Sequence, residues 1–336
     1  MSSSKRTIVV VGGTGRVGGS VARSLHDNPN FLVKVTSRNP HTEKARGIAS
    51  LGIQVIKADS WHASKLDTAF TGAWGVFLNT DSEDASFKGE IGQPEQDMGR
   101  IVIDAARRQG VQHFVYAGLP DVDGVTQGAV SVVSFHSKGL ISRYGRQAGF
   151  ESFVNVNVGW MMENFWNPLY EVSFGGFARV PDAEGFLTIK LFAMGNDPES
   201  TPWTSVRDDY GDIVHGVFLG PVPWNGQVIW AVSASLSFEQ VATTYNKLAG
   251  KNVARYVLQR DPVDAGTPGK TKEVNGVRDW SHFVHGNYCD GKPVDQTDVK
   301  RLKAAAADAR GRHGADAELQ TFEGFMRAYG FNGESM

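Results

Sequence analysis

Short, almost unbroken apolar runs alternate along the first half of the chain with stretches whose apolar residues recur every three or four positions. The runs are "TIVVVGG", "FLVKVTS", "IQVIKAD", "AWGVFLNT" and "VQHFVYAG". A run that is apolar at nearly every position suits a strand covered on both faces, as in a parallel sheet. Between the runs lie "GRVGGSVARSLHD", "HTEKARGIASL", "HASKLDTAF" and "QPEQDMGRIVIDAARRQG", each with helical spacing. This alternation predicts a doubly wound α/β domain with right-handed crossovers.

After about residue 155 the alternation weakens. The stretch "NVGWMMENFWNPLYEVSFGGFARVPDAEGF" reads as loops and short helices around a pocket. "VRDDYGDIVHGVFLG", "SFEQVATTYNKLAG", "DVKRLKAAAADARGR" and "AELQTFEGFMRAYG" read as helices, and 251–300 shows no clear period. The expected organisation is a Rossmann-type doubly wound parallel sheet over 1–157, completed by parts of 186–235. A smaller, mostly C-terminal α+β unit for substrate or partner is expected from 158–185 and 236–336. No internal repeat is visible.

The first strand runs into Gly12-Gly13-Thr14-Gly15-Arg16-Val17-Gly18, which satisfies both GxxGxxG and GxGxxG. Glycine is costly in regular structure. Here it permits a tight turn and close approach of backbone to ligand, and the following helix offers its N-terminal N–H groups to a pyrophosphate. NAD-binding versions place an acidic residue at the end of the second strand for the ribose 2′-hydroxyl. This chain has Thr36, Ser37 and Arg38 there, so a guanidinium replaces the carboxylate and suits a 2′-phosphate. The expected cofactor is therefore NADP(H), with Lys44 assisting Arg38. Asp59 and Ser60 end the third strand, where adenine would lie. Asn79 and Thr80 end the fourth, beside the pyrophosphate or ribose, and Asn157 follows a sixth strand, where nicotinamide and substrate would meet.

Composition narrows the partners. A net charge of -2 gives no electrostatic case for nucleic acid. No apolar run approaches a membrane span, and the short run in "MSSSKRTIVVVGG" reads as a first strand, not a secretory signal. One cysteine, Cys289, excludes an intrachain disulfide and suggests a reducing compartment, cytoplasmic or nuclear. The histidines of His282-x-x-His285-x-x-x-Cys289 would meet on a helix, but a fourth ligand is not evident, so no metal is expected.

"GGTGRVG", "TSRNP", "KADSWHASKLDTAFTGAWGVFLNT", "FVYAGL", "FHSKG" and "MMENFW" occur in this order, with "TPWTSVRDDYGDIVHGVF" and "TFEGFMRAYG" further on. Together they resemble the NmrA-like family, an atypical branch of the short-chain dehydrogenase/reductase superfamily. The resemblance runs from about residue 6 to 330 and is weakest over 251–300. It implies a Rossmann-type domain, preference for NADP and a small C-terminal domain over the nicotinamide end. Some members of the family are reductases of small molecules; others are redox-sensing regulators that bind the cofactor.

Typical short-chain dehydrogenases use a Ser and a Tyr-x-x-x-Lys, in which Lys binds the nicotinamide ribose and Tyr exchanges a proton with substrate. The resemblance places that Lys at Lys138 of "SVVSFHSKGLISRYGRQ". Ser134 stands where Tyr would be, and Ala117 and Gly118 stand where the Ser is expected. Tyr144 follows Lys138 by six residues, about 240° round a helix, and should face away. His136 is a candidate proton relay, and Ser134 a candidate for orienting substrate. Leu119, Trp160, Met161, Asn164 and Trp280 are candidates for the substrate pocket. The expected function is an NADPH-dependent reductase of a hydrophobic small molecule whose acceptor is already polarised: an activated carbonyl, enone, quinone or imine. The alternative is an NADP(H)-binding sensor regulating a protein partner without turnover. A monomer or a homodimer fits either reading.

Overall fold

The computed structural model describes residues 5–87, 94–167, 176, 180–194 and 200–329. The first half runs β1 (Arg6–Val11), α1 (Arg16–His26), β2 (Phe31–Ser37), α2 (Glu43–Ala49), β3 (Gln54–Lys57), α3 (Ala63–Phe70) and β4 (Gly75–Leu78). It continues with α4 (Glu95–Arg108), β5 (His113–Tyr116), α5 (Val122–Thr126), α6 (Val133–Gln147) and β6 (Ser152–Asn157). Then come β7 (Trp160–Met161), β8 (Leu187–Leu191), β9 (Thr201–Thr204), α7 (Gly211–Leu219), β10 (Val228–Trp230) and β11 (Ala234–Leu236). The chain ends in α8 (Phe238–Ala249), β12 (Ala254–Leu258), α9 (Pro268–Phe283), α10 (Thr297–Asp308) and α11 (Phe322–Tyr329).

The main sheet has seven parallel strands in the order β10-β6-β5-β4-β1-β2-β3. The apolar strand runs are explained by burial on both faces. Ile8 and Val10 of β1 pack into a core shared with α1, α7 and α10; Val9 and Val11 pack into one shared with α3, α4 and α6. The strand order reverses between β1 and β4, which leaves a crevice at their C-terminal ends, the usual nucleotide position in open α/β sheets. The expected doubly wound sheet is therefore present, with β10 added from beyond residue 220.

The remaining strands form a three-stranded sheet, β11-β9-β7, and the parallel pair β12-β8. Their core is strongly aromatic: Trp160, Phe165, Trp203, Phe238, Trp280 and Phe322 are all buried in it. The 251–300 segment, which has no clear period, contains β12 and α9. The start of α9 does carry a sequence signal, since Thr267 accepts a hydrogen bond from Lys270 N and Pro268 is the first helical residue. The stretch "VRDDYGDIVHGVFLG" opens with a π-turn over Val206–Tyr210 before α7 begins. Helix α10, which the sequence reading assigns to the smaller unit, lies on α7 of the large one. A Cβ on Gly216 would stand 2.3 Å from Leu302 O, so this close packing requires glycine.

At the α1–α7 contact His215 is fully buried. Its Nε2 is 2.8 Å from Asn28 Nδ2 and its Nδ1 3.1 Å from Ser24 Oγ, whose hydroxyl donates to Asp212 Oδ1 at 2.6 Å. That network suits a neutral ring with the proton on Nδ1. Burial, helped by the Arg310 charge, pushes the imidazole from 6.5 down to about 3. The unfolded chain therefore binds a proton that the folded chain refuses, and stability falls as pH drops below 6.5 toward 3. The expected loss from this residue is on the order of 4 kcal/mol. Thermal denaturation between pH 7 and 4 measures it. His215→Gln should flatten the slope, and an unchanged slope would show that other groups govern acid stability.

Candidate functional site

The crevice begins with the glycine loop. Gly12 takes φ +80°, a conformation that side chains rarely adopt, and a Cβ there would lie 2.6 Å from Asn79 O on the neighbouring strand. Gly15 N donates to Gly12 O at 3.0 Å, closing the turn. Gly15 is the N-cap of α1 and makes no side-chain cap bond; the first helical turn holds no acidic residue, and Arg16 opens it. The N-terminal N–H groups of α1 and its positive dipole end thus face the crevice without a competing carboxylate of their own turn. A Cβ on Gly13 would lie 2.7 Å from Val35 Cγ1, and one on Gly18 2.4 Å from Gly12 O. These glycines let the loop lie tightly against β2, the end of β4 and α1, which holds the α1 N-terminus in the position that suits a dinucleotide pyrophosphate.

One end of the crevice gathers the residues that follow β2, β3 and β4. Arg38 follows β2 and is exposed; its guanidinium is bound to Asp84, Nη1 to Oδ1 at 3.2 Å and Nη2 to Oδ2 at 2.6 Å. Lys44 is exposed on the first turn of α2. Asp59 accepts from Trp61 N at 3.1 Å, so part of its carboxylate shapes the turn; Ser60, beside it, is half-buried. Trp61 in turn meets Phe87 edge-on at 6.0 Å and its indole donates to Ser86 Oγ at 3.4 Å.

At the other end, α6 turns Lys138 inward. Its Nζ donates to Thr80 O at 2.8 Å and Thr80 Oγ1 at 2.7 Å, and lies 3.3 Å from Glu95 Oε1. Both side chains of this ion pair are only 6% exposed, so each depends on the other. Ser82 Oγ donates to Glu95 Oε1 at 3.1 Å. Tyr116 is fully buried below; its hydroxyl is 3.3 Å from Thr80 Oγ1, and burial first, then the Glu95 charge, raises it well above the ordinary phenol. Asn157 donates from Nδ2 to Leu119 O at 3.0 Å, while its Oδ1 is buried with no partner among the described residues. Gly118 provides the room: a Cβ there would stand 2.3 Å from Asn157 Oδ1. An unsatisfied acceptor at the C-terminal end of β6 could take a donor from a ligand.

The other predicted residues are not brought to Lys138. His136 lies two residues away, about 200° round the helix, and its Nδ1 is 2.7 Å from Asp123 Oδ2 with the ring half exposed. Ser134 N and Oγ both donate to Glu273 Oε1, which ties the start of α6 to α9. Tyr144 bonds Asp104 of α4 at 2.6 Å, on the outer side as expected. Trp280 faces the small unit's core with Val274 and Val277; its indole donates to Tyr288 O at 3.3 Å and it is 0% exposed. Trp160 is buried against Phe192, Trp203 and Phe238, whereas half-buried Met161 packs on the main-sheet core and half-buried Leu119 touches both cores. Asn164 Oδ1 accepts from Arg16 Nη1 at 3.1 Å, joining the segment after β6 to the glycine loop. Among the described residues no group of three His, Cys, Asp or Glu is placed to hold a metal, and burial raises the Cys289 thiol.

Sequence reasoning missed Glu95, Asp84 and Tyr116. "QPEQ" does signal Glu95, but only as the acidic first turn of a helix. Asp84 lies in a polar loop, and Tyr116 is hidden in an apolar strand.

Fold and site together define a Rossmann-type α/β protein built on a glycine-rich nucleotide loop and a buried lysine at the switch point. The chain belongs to the NmrA-like family, whose model matches residues 4–265. It is 40% identical to the NmrA-like family domain-containing oxidoreductase cpsB of Aspergillus campestris over 336 residues, 97% of this chain and 98% of the relative. It is 41% identical to the similarly named lnaB of Aspergillus flavus over 316 residues, 93% of this chain and 94% of the relative. The fold is shared with NmrA, a negative transcriptional regulator, solved in complex with NADP: TM-score 0.73, 22% identity, 98% and 99% of the two chains covered. No helix among the described residues is long and apolar enough to cross a membrane.

Proposed function

We propose that this chain is an NADPH-dependent reductase of a hydrophobic small molecule whose acceptor carbon is activated by its own electronics: an activated carbonyl, enone, quinone or imine. The observation that carries the reading is Lys138, buried and anchored on Thr80 at the switch-point crevice, with Ser134 in place of tyrosine and directed to Glu273. The oxidoreductase names of relatives at 40% and 41% identity support it.

Gly12 to Gly18 would hold the pyrophosphate, Arg38 the 2′-phosphate, and Lys138 with Asn157 the nicotinamide-ribose end. When bound there, NADPH supplies a hydride. Lys138 Nζ spends its three N–H groups on Thr80 O, Thr80 Oγ1 and Glu95 Oε1, and exchange of one of them would give the ribose a donor in a buried position, where charge acts strongly. Tyr116 keeps its proton, since burial disfavours the phenolate, and its neutral hydroxyl shares a hydrogen bond with Thr80 Oγ1. None of these groups replaces the missing tyrosine as a substrate acid, so the reading favours acceptors that need little protonation by the protein.

The test is NADPH oxidation followed at 1–100 μM substrate, roughly the usual KM range, with a panel of hydrophobic enones, quinones and imines. Sustained turnover with at least one class is expected. A second reading is an NADP(H)-dependent regulator, favoured by the absent tyrosine and by the shared fold with NmrA. Tight NADPH binding with no turnover on any class, and a protein partner whose affinity follows cofactor occupancy, would move the conclusion there.

A further inference from the structure

Arg38 is already engaged. Its two terminal nitrogens bind the two oxygens of Asp84 in the fork-to-fork geometry that a guanidinium also offers to phosphate. Asp84 is held in place from its own side. Asp84 N donates to Asp81 O at 2.9 Å, and Asp84 Oδ1 accepts from Ser86 N at 2.9 Å. Ser86 and Phe87 of the same turn touch Trp61 beyond β3. The Asp84 side chain is 16% exposed and that of Arg38 61% exposed, so the carboxylate is the set element and the guanidinium the movable one. Partial burial pushes the Asp84 carboxyl up, but the Ser86 N–H and hydroxyl and the Arg38 charge outweigh it and hold it below the usual range. The group is therefore an anion throughout the neutral range.

A 2′-phosphate arriving at Arg38 meets that anion on the same fork. A ribose 2′-hydroxyl carries no charge and leaves the pair intact. The exchange is feasible because an exposed ion pair contributes only about 0–1 kcal/mol. We propose that Asp84 is a specificity-determining residue: its carboxylate occupies the 2′-phosphate seat on Arg38, must be displaced by NADP(H) but not by NAD(H), and so narrows the preference between them. The inference rests on the reading that Arg38 receives the 2′-phosphate, and it extends that reading to the turn after β4. Binding of NADP(H) then uncouples Arg38 from this turn, which NAD(H) does not do.

Equilibrium binding separates the two claims. The probes are NADPH, NADH, adenosine 2′,5′-bisphosphate and 5′-AMP, measured calorimetrically on the full chain and on Asp84→Asn, Arg38→Ala and the double variant. Asp84→Asn keeps the side-chain oxygen that Ser86 N bonds. It is expected to tighten NADPH and the 2′,5′-bisphosphate about three- to fivefold, with NADH and 5′-AMP shifted less than about 1.5-fold. In the Arg38→Ala background the Asn substitution should have no such selective effect. Unchanged or weaker 2′,5′-bisphosphate binding by Asp84→Asn, while Arg38→Ala still weakens it, would overturn the role of Asp84 and leave that of Arg38 standing. If Arg38→Ala binds all four probes like the parent, the reading of Arg38 falls, and the inference with it.

Discussion

Gly18→Ala is expected to weaken NADPH binding by about 100-fold or more, as displacements of about 1 Å at positioning groups do. The added Cβ would lie 2.4 Å from Gly12 O, 2.7 Å from Gly12 C and 2.9 Å from Gly13 Cα. All three are backbone atoms, so no rotamer change relieves the clash. Helix α1 must back away from the loop, and the N–H groups of its first turn move with it. The cost in stability is that of overpacking, about 1–3 kcal/mol. Gly19→Ala is the control from the same helix. Its nearest neighbours would be Arg23 Nη1 and Gly13 O, both at 3.4 Å, which is ordinary contact. That variant should bind NADPH within about twofold of the parent and gain up to about 1 kcal/mol from helix propensity. Calorimetry with NADPH and urea denaturation read both quantities. Equal binding by the two variants would mean that α1 does not position the cofactor.

The second large effect is expected at the Lys138–Glu95 pair. Lys138→Met leaves Glu95 buried with, among the described residues, Ser82 Oγ alone on its Oε1, and should cost about 3–5 kcal/mol together with turnover. Glu95→Gln strands Lys138, although Thr80 still accepts from it, and should cost less. The double variant Lys138→Met/Glu95→Gln should recover about 1–3 kcal/mol relative to the sum of the singles, because neither charge is then left alone. It should not recover NADPH oxidation, since the donor at the crevice is still missing. Strict additivity in urea denaturation would show that the two charges do not support each other. Recovered turnover would remove Lys138 from the reductase mechanism.

Both sites divide the same way between sequence and structure. The glycine loop and Arg38 are legible because their signals are local: a strand, a turn that only glycine can make, a helix, and then the end of the next strand. Glu95 is the first residue of α4, and its meeting with Lys138 of α6 depends on both helices covering the same face of the sheet. His136 and Ser134 show the limit from the other side. They are neighbours of Lys138 in the chain, yet helical rotation directs them to Asp123 and Glu273. Trp280 reads equally well as pocket or core in the sequence, and the inward face of α9 decides for core.

The sequence by itself determined the doubly wound sheet, the loop from Gly12 to Gly18 and a guanidinium just past the end of β2. Apolar periodicity and glycine placement act within one or two elements, so they need no knowledge of the rest. Only the tertiary structure decided which charges those groups meet. Arg38 and Asp84 are 46 residues apart, and Lys138 and Thr80 58. The reversal of strand order between β1 and β4 brings such distant side chains to one crevice, and burial of Lys138 with Glu95 makes each of those two charges depend on the other, whereas the exposed Arg38 stays free to exchange its partner.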